Sequence, residues 1–212
     1  MKLIKKVIVG VFALIGVLAT AFGVLLWWVS AGALDQGEPE EWGDDAGQAE
    51  VEVSAALQDG LSGRWLFADG EAGRERVSEA VQDATSDLGR VGRTMVRRQF
   101  VQDLEPQIDD AIEIELGEDT IDLQMPICPA IEDAPVGGSV EFSCQGLTWS
   151  LTHKLDDGGE VILQRMKNEQ ARVYRRFVLE AEDRLRVEYE IQHGRLSKPL
   201  RFDLRYRRDN HG

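Results

Sequence analysis

The sequence of 212 residues has few cysteines and histidines, two residue types that supply many catalytic and metal sites. It has only two cysteines and three histidines, and His153, His193 and His211 lie far apart. Two cysteines without a nearby histidine supply at most half of a tetrahedral zinc shell. A glycine-rich phosphate loop and a nucleophile elbow are also missing. These absences predict a protein that is not an enzyme and that holds no metal or other cofactor.

Basic residues are scarce as well, and their distribution is informative. The net charge is −14, which argues against nucleic acid as a partner. No lysine or arginine occurs between Lys6 and Arg64, and residues 31–60 combine many acidic residues with glycine, glutamine, proline and alanine. Such a segment stays solvated and repels itself, so 31–60 is predicted to be a flexible tether.

One long apolar run dominates the N-terminal part of the chain. Val7 to Val29 are 23 residues without a charge, about 34 Å of helix against a bilayer core of about 30 Å. Lysines precede the run and Trp27-Trp28 end it, as at a membrane–water boundary. We therefore expect a cytoplasmic N-terminus over 1–6, a transmembrane signal anchor over 7–30, and a periplasmic domain on the inner membrane of a cell. The alternative is a cleaved signal peptide, with Ala31-Gly32-Ala33 as the cleavage site.

The remaining chain, 61–208 with a tail over 209–212, predicts a single domain that is mainly β. After a short strand at Arg64–Ala68, two helical patterns cover 77–88 and 91–104. From residue 110 onwards apolar and polar residues alternate, interrupted by short turns and by one loop rich in proline near 126–138. This order predicts an antiparallel up-and-down β-barrel of nine or ten strands, with a two-helix lid after the first strand.

The same order of elements resembles the intracellular fatty-acid-binding proteins, which belong with the lipocalins to the calycin superfamily. Gly63-Arg64-Trp65 is similar to the Gly-x-Trp motif that opens the first strand in these families. The helix pair, the hairpin at 154–159 and the closing segment 204–208 are similar in place and type. The resemblance implies that Trp65 plugs the base of the barrel, with Arg205 or Arg207 across its ring.

The resemblance also implies how a ligand would be held. Tyr206 matches the tyrosine that grips a ligand carboxylate, but Leu204 stands where an arginine is expected. Arg172 and Arg176 lie near the position of the other arginine and are candidate polar ligand contacts, although they share a face with Tyr174. In that family a basic lid helix touches membranes, which makes four arginines here candidate membrane contacts: Arg90, Arg93, Arg97 and Arg98. The alternative is a solvated face balanced by neighbouring aspartates.

Two functions remain open. The first is a barrel that binds or transfers a lipid-like hydrophobic molecule inside an apolar cavity. The predicted cavity wall consists of Phe67, Ile114, Leu123, Phe142, Trp149, Leu163, Tyr189, Phe202 and Tyr206. The second is a non-enzymatic structural or interaction module, filled by its own side chains and contacting another envelope protein. Cys128 and Cys144 lie in neighbouring segments and predict a disulfide, with two buried free thiols as the alternative.

Overall fold

The computed structural model describes part of the chain. The described residues are 37–39, 42, 52–90, 92–94, 111–124, 130–144 and 146–210. The predicted cytoplasmic segment and membrane anchor, residues 1–30, lie outside them, as does most of the second helical pattern. Within the described ranges, no helix has the length and hydropathy needed to cross a membrane.

The described residues form two helices with described bounds and ten strands, and Arg90 and residues 92–94 are helical as well. Their order is α1 (Ala55–Leu61), β1 (Gly63–Phe67), α2 (Gly70–Ala84), β2 (Ala111–Leu116), β3 (Thr120–Gln124), β4 (Ile131–Pro135), β5 (Ser139–Cys144), β6 (Leu147–Leu155), β7 (Ile162–Lys167), β8 (Ala171–Ala181), β9 (Arg184–His193) and β10 (Leu200–Arg208). The predicted antiparallel meander is confirmed. Strand β4 is an addition, because it lies in the segment that proline and glycine marked as a loop.

All ten strands form one antiparallel sheet that nearly closes into a barrel. Its order is β4-β3-β2-β1-β10-β9-β8-β7-β6-β5. The two ends meet next to β6, where Val136 forms a parallel bridge with His153 and the Gly137 amide donates to the His153 carbonyl at 2.7 Å. We call this junction of Val136 and Gly137 with His153 the seam.

The base of the barrel is built around Trp65. This side chain is fully buried, and its Nε1 donates to the Leu61 carbonyl at 2.9 Å. The cation on its ring is Arg208, with Cζ 4.5 Å from the ring centroid. The expectation of Arg205 or Arg207 was wrong. Trp65 and Arg208 are register partners and share a face, whereas neighbours on a strand point to opposite faces.

Helix α1 closes the same end and lies inside the segment predicted as a flexible tether. The Ser54 side chain caps it by accepting from the Leu57 amide at 3.3 Å. Val53, Leu57 and Leu61 are buried in the core cluster that contains Trp65. The folded part of the chain therefore begins before residue 61.

Helix α2 confirms the first predicted helix and covers an edge of the sheet. Strand β1 pairs only with the last residues of β10, which leaves the first half of β10 without a strand on that side. There the Asp69 carboxylate accepts from the Arg205 amide at 2.7 Å, and Arg76 Nε donates to the Asp203 carbonyl at 3.1 Å. Val77 and Val81 on α2 are buried in the core. The helix thus replaces the missing strand pairing with side-chain bonds.

Candidate functional site

A row of side chains across the inner wall interrupts its apolar surface. In the ladders of β6 to β10, each member of the row pairs with the next. The members are His153, Gln164, Arg175, Tyr189 and Phe202. Because register partners in a sheet point to the same side, all five belong to the inner face. We call this set the polar row.

Each side chain of the polar row contacts the next one. Arg175 Nη1 donates to Gln164 Oε1 at 2.9 Å, and Gln164 Nε2 lies 2.8 Å from His153 Nε2. Arg175 Cζ lies 5.3 Å from the Tyr189 ring centroid. The rings of Tyr189 and Phe202 stack with centroids 4.8 Å apart. The row is therefore one continuous network across five strands.

The rows on both sides of this network are entirely apolar. One consists of Leu155, Ile162, Phe177, Val187 and Leu204, and the other of Leu151, Met166, Val173, Ile191 and Leu200. His153 and Gln164 are 1% and 0% exposed, and Arg175 is 9% exposed. A polar group in such surroundings is costly unless it is hydrogen-bonded. The row thus concentrates polar chemistry at one level of an otherwise apolar wall.

The hydrogen bonds also determine which nitrogen of His153 carries the proton. Arginine can only donate, so Gln164 Oε1 accepts and Gln164 Nε2 must be the donor towards His153. His153 Nε2 is then the acceptor, and the proton lies on Nδ1. Burial and the positive charge of Arg175 lower the pKa of His153 from 6.5 to about 3, so the ring is neutral. No described residue offers an acceptor to Nδ1.

Eight of the nine residues predicted as cavity wall have inner-face positions, buried in the core or packed against it. They are Phe67, Ile114, Leu123, Phe142, Trp149, Tyr189, Phe202 and Tyr206. The ninth, Leu163, was assigned to the wrong face. It pairs with Lys154 and Arg176 on the outer face and belongs to a separate cluster with Trp42 and Tyr174. The sequence of β7 shows no alternation of apolar and polar residues, because both faces of this strand are buried.

A short piece of the acidic N-terminal segment covers that outer face. We call residues 37–39 and 42 the strap. Trp42 is 5% exposed, and its ring centroid lies 5.7 Å from that of Tyr174. Lys154 Nζ and Arg165 Cζ lie 4.9 and 5.1 Å from the Trp42 ring. Part of the predicted tether is thus held between cations on the sheet.

Polar contacts fix the strap beside its tryptophan. Glu38 accepts from Arg165 at 3.1 Å, and Gln192 Nε2 donates to the Gly37 carbonyl at 3.0 Å. Burial, followed by the charge of Glu38, raises the pKa of Tyr174 to about 12. The phenol is therefore neutral at all physiological pH values. A single tryptophan within an acidic stretch is the sequence signal that could have indicated this contact.

The two arginines predicted as polar ligand contacts do not reach the interior. Arg172 pairs with Gln192 and Arg176 with Glu188 on the outer face, and Arg176 Nη1 lies 4.0 Å from Glu188 Oε2. The structure therefore corrects that assignment. Between them, Arg175 is the arginine of β8 that faces inwards, since neighbouring residues on a strand alternate.

The other predicted site residues are described only in part. Arg90 is exposed, and Arg93 donates to the carbonyls of Ser86 and Leu88 at 2.5 and 3.2 Å. Arg97 and Arg98 lie outside the described residues, so a membrane contact by these arginines stays a prediction. Cys144 is disulfide-bonded. The other cysteine of the chain, Cys128, also lies outside the described residues.

A groove of about 430 Å³ lies beside the strap, and its lining includes Arg175, Tyr189 and Phe202 of the polar row as well as residues of the outer face. Its walls carry both signs of charge, and most of these are already paired, for example Arg201 with Glu190 at 2.7 Å. A second groove, of about 450 Å³, lies between α2 and the start of β10 and is also charged. Both grooves have a mixed lining of polar and apolar side chains. The candidate site is the polar row with the apolar inner face on both sides of it, and three members of the row also line the first groove.

Comparison with known proteins gives a likeness of fold only. No family model matches the chain, and no curated protein matches it. Among solved structures, the chain is similar to a secretary abundant heat soluble (SAHS) protein from Ramazzottius varieornatus, with a TM-score of 0.46 and 10% identity. The match covers 75% of this chain and 100% of that chain. The architecture therefore rests on the strand pairs described above.

Proposed function

We propose that this protein is a membrane-anchored, extracytoplasmic β-barrel that binds or transfers a lipid-like molecule. The observation that carries the proposal is the polar row between two apolar rows on the inner wall. An amphipathic molecule needs this combination, because its chain is stabilised by apolar burial and its polar end by a few placed donors.

Access to the interior supports the proposal. Several aromatic side chains on the inner face are only half-buried, although they pack against the core. They are Phe67, Phe142, Trp149 and Phe202. Leu147, the inner-face residue at the start of β6, is 49% exposed. Solvent therefore reaches apolar side chains of the inner face, and an acyl chain placed against them would bury them further.

The membrane part of the proposal is supported by sequence. The apolar run from Val7 to Val29 is long enough to span a bilayer, and lysines precede it. A barrel held on this anchor would exchange its molecule with the membrane, and the exposed Arg90 would help to face anionic headgroups. The proposal includes no catalytic step.

The direct test is native mass spectrometry of the full chain, extracted in a mild detergent from a lipid-containing host. We expect a bound lipid that is released on activation. A matched pair of variants separates the interior from lipid held by the apolar N-terminal run. Val173→Trp fills the inner face and should remove the lipid, whereas Val178→Trp alters the outer face of the same strand and should leave it. A bare wild-type mass, or a lipid that persists in Val173→Trp, would contradict the proposal.

A second function is favoured by a different observation. The fully buried Trp65 and Tyr206 belong to one continuous core cluster, which extends from α1 through most strands. A barrel filled in this way would act through its outer surface, as a structural module that contacts another envelope protein. In that case neither substitution would change the amount of lipid that the chain carries, and a partner would be sought by cross-linking in membranes.

A further inference from the structure

We infer that the Nδ1–H group of His153 is the hydrogen-bond donor that selects an oxygen acceptor at the polar end of the bound molecule. The inference rests on the proposed function and names the class of ligand for the same site. It goes further because it distinguishes molecules with the same apolar chain by the chemistry of one end.

Among the described residues, the Nδ1–H donor of His153 has no acceptor. His153 is 1% exposed, and no described residue accepts from Nδ1. A buried donor without an acceptor costs about 1–3 kcal/mol. The other ring nitrogen already accepts from Gln164, so the ring cannot turn over without breaking that bond. The bond at Nε2 thus fixes the orientation of the ring and of its Nδ1–H donor.

The neighbouring charge of Arg175 affects the strength of the His153 donor and the charge of the group that it can bind. The positive charge of Arg175 begins a chain of hydrogen bonds that runs through Gln164 to His153. Bonds in such a chain polarise one another and strengthen the last donor. A hydroxyl, carbonyl or carboxylate oxygen would complete the chain. An ammonium group would be repelled by Arg175, and an alkane would leave the donor unmet.

The ligand test uses four probes with sixteen-carbon chains: palmitic acid, hexadecanol, hexadecylamine and hexadecane. The full chain in mild detergent is incubated with an equimolar mixture, and bound masses are compared by native mass spectrometry. We expect the acid and the alcohol to be retained about tenfold more than the amine and the alkane. A tenfold difference in affinity corresponds to the free energy that one hydrogen bond contributes.

Two substitutions at one position divide the functions of the ring. His153→Asn places a side-chain amide near the position of Nδ1, so this variant should still prefer the probes that carry an oxygen. His153→Gln places its amide at the position of Nε2, next to Gln164, but provides no donor at the position of Nδ1. This variant should bind the four probes about equally. Thermal melts of both variants establish whether they fold.

A measurement on the unaltered chain covers the case in which the variants fail to fold. Nitrogen-15 NMR of the histidine rings should show His153 as the Nδ1–H tautomer, and its proton signal should shift when hexadecanol is added. An Nε2–H tautomer would overturn the inference. Equal binding of all probes by the wild-type chain would overturn it and leave the proposed function intact. If no probe binds and the Nδ1 proton contacts only buried water, both the inference and the proposed function would be overturned.

Discussion

Lowering the pH from 7 to 5 should destabilise the folded chain, and His153 should make a large contribution to the loss. Burial and Arg175 lower the pKa of this ring to about 3 in the folded state, whereas the unfolded chain titrates near 6.5. Below pH 6.5 the unfolded state therefore binds a proton that the folded state does not. Stability is complete above pH 6.5 and is lost progressively as the pH falls towards 3.

The size of the effect follows from the width of that window. Each pH unit below 6.5 costs about 1.4 kcal/mol, so the loss at pH 5 is about 2 kcal/mol. The pKa of His193 is lowered too, by burial and then by Arg195, and it adds a loss in the same direction. A comparison with a variant is needed to separate the two histidines.

The assay is urea unfolding of the full chain in a non-ionic detergent, followed by circular dichroism at pH 7 and pH 5. The control is His153→Gln, which cannot titrate and retains His193 and all carboxylates. We expect the free energy of unfolding of the wild type to fall by about 2 kcal/mol more than that of the variant. Equal losses would mean that the folded ring takes up its proton, and the neutral donor would then be refuted.

Three further predictions concern the contacts that hold the barrel and the strap. Arg208→Met should lower the free energy of unfolding by about 3 kcal/mol, because it removes the cation over Trp65 and the donors to three carbonyls. The control Arg207→Met, at an exposed position, should change the free energy of unfolding by less than about 0.5 kcal/mol. Equal effects of the two variants in denaturant would contradict the role of the Arg208–Trp65 contact. Trp42→Ala should release the strap, lower the free energy of unfolding by about 2 kcal/mol and make the Glu38–Trp42 segment cleavable by protease. Unchanged cleavage would show that Trp42 does not hold the strap. Reduction of the Cys144 disulfide should lower the free energy of unfolding by about 3 kcal/mol if it closes the loop from Cys128, and an unchanged value would contradict that pairing.

The sheet could be predicted because apolar and polar residues alternate along most of its strands. Strand β9 shows this clearly, since Leu185, Val187, Tyr189 and Ile191 all face the core as their period of two requires. Strand β7 could not be assigned in the same way. Its outer face is also buried, under Trp42, so Leu163 and its neighbours carry no alternating signal.

The polar row could not be predicted for a related reason. Gln164 and Arg175 look like solvent-facing residues of alternating strands, and only the register shows that they meet inside. Arg175 and Arg176 are adjacent, so one of them had to face inwards, but the sequence does not say which. Helix α1 was missed because seven residues with glycine and aspartate give a weak helical pattern.

The seam has a consequence for how the barrel moves. Among the described residues, β4 reaches the other end of the sheet through the single bridge of Val136 with His153 and one amide bond from Gly137. Every other neighbouring pair of strands is held by a ladder of three or more register partners. Segments with few bonds open locally at a lower free energy than the rest of a fold.

Local opening at this place would have an effect on the interior. His153 ends the seam with its main chain and begins the polar row with its side chain, so a brief parting of β4 from β6 would uncover the row from the side of the barrel. A molecule could then enter laterally, between two strands, while both helices stay in position. The Gly137 amide would report such openings by exchanging its hydrogen earlier than amides of the central ladders.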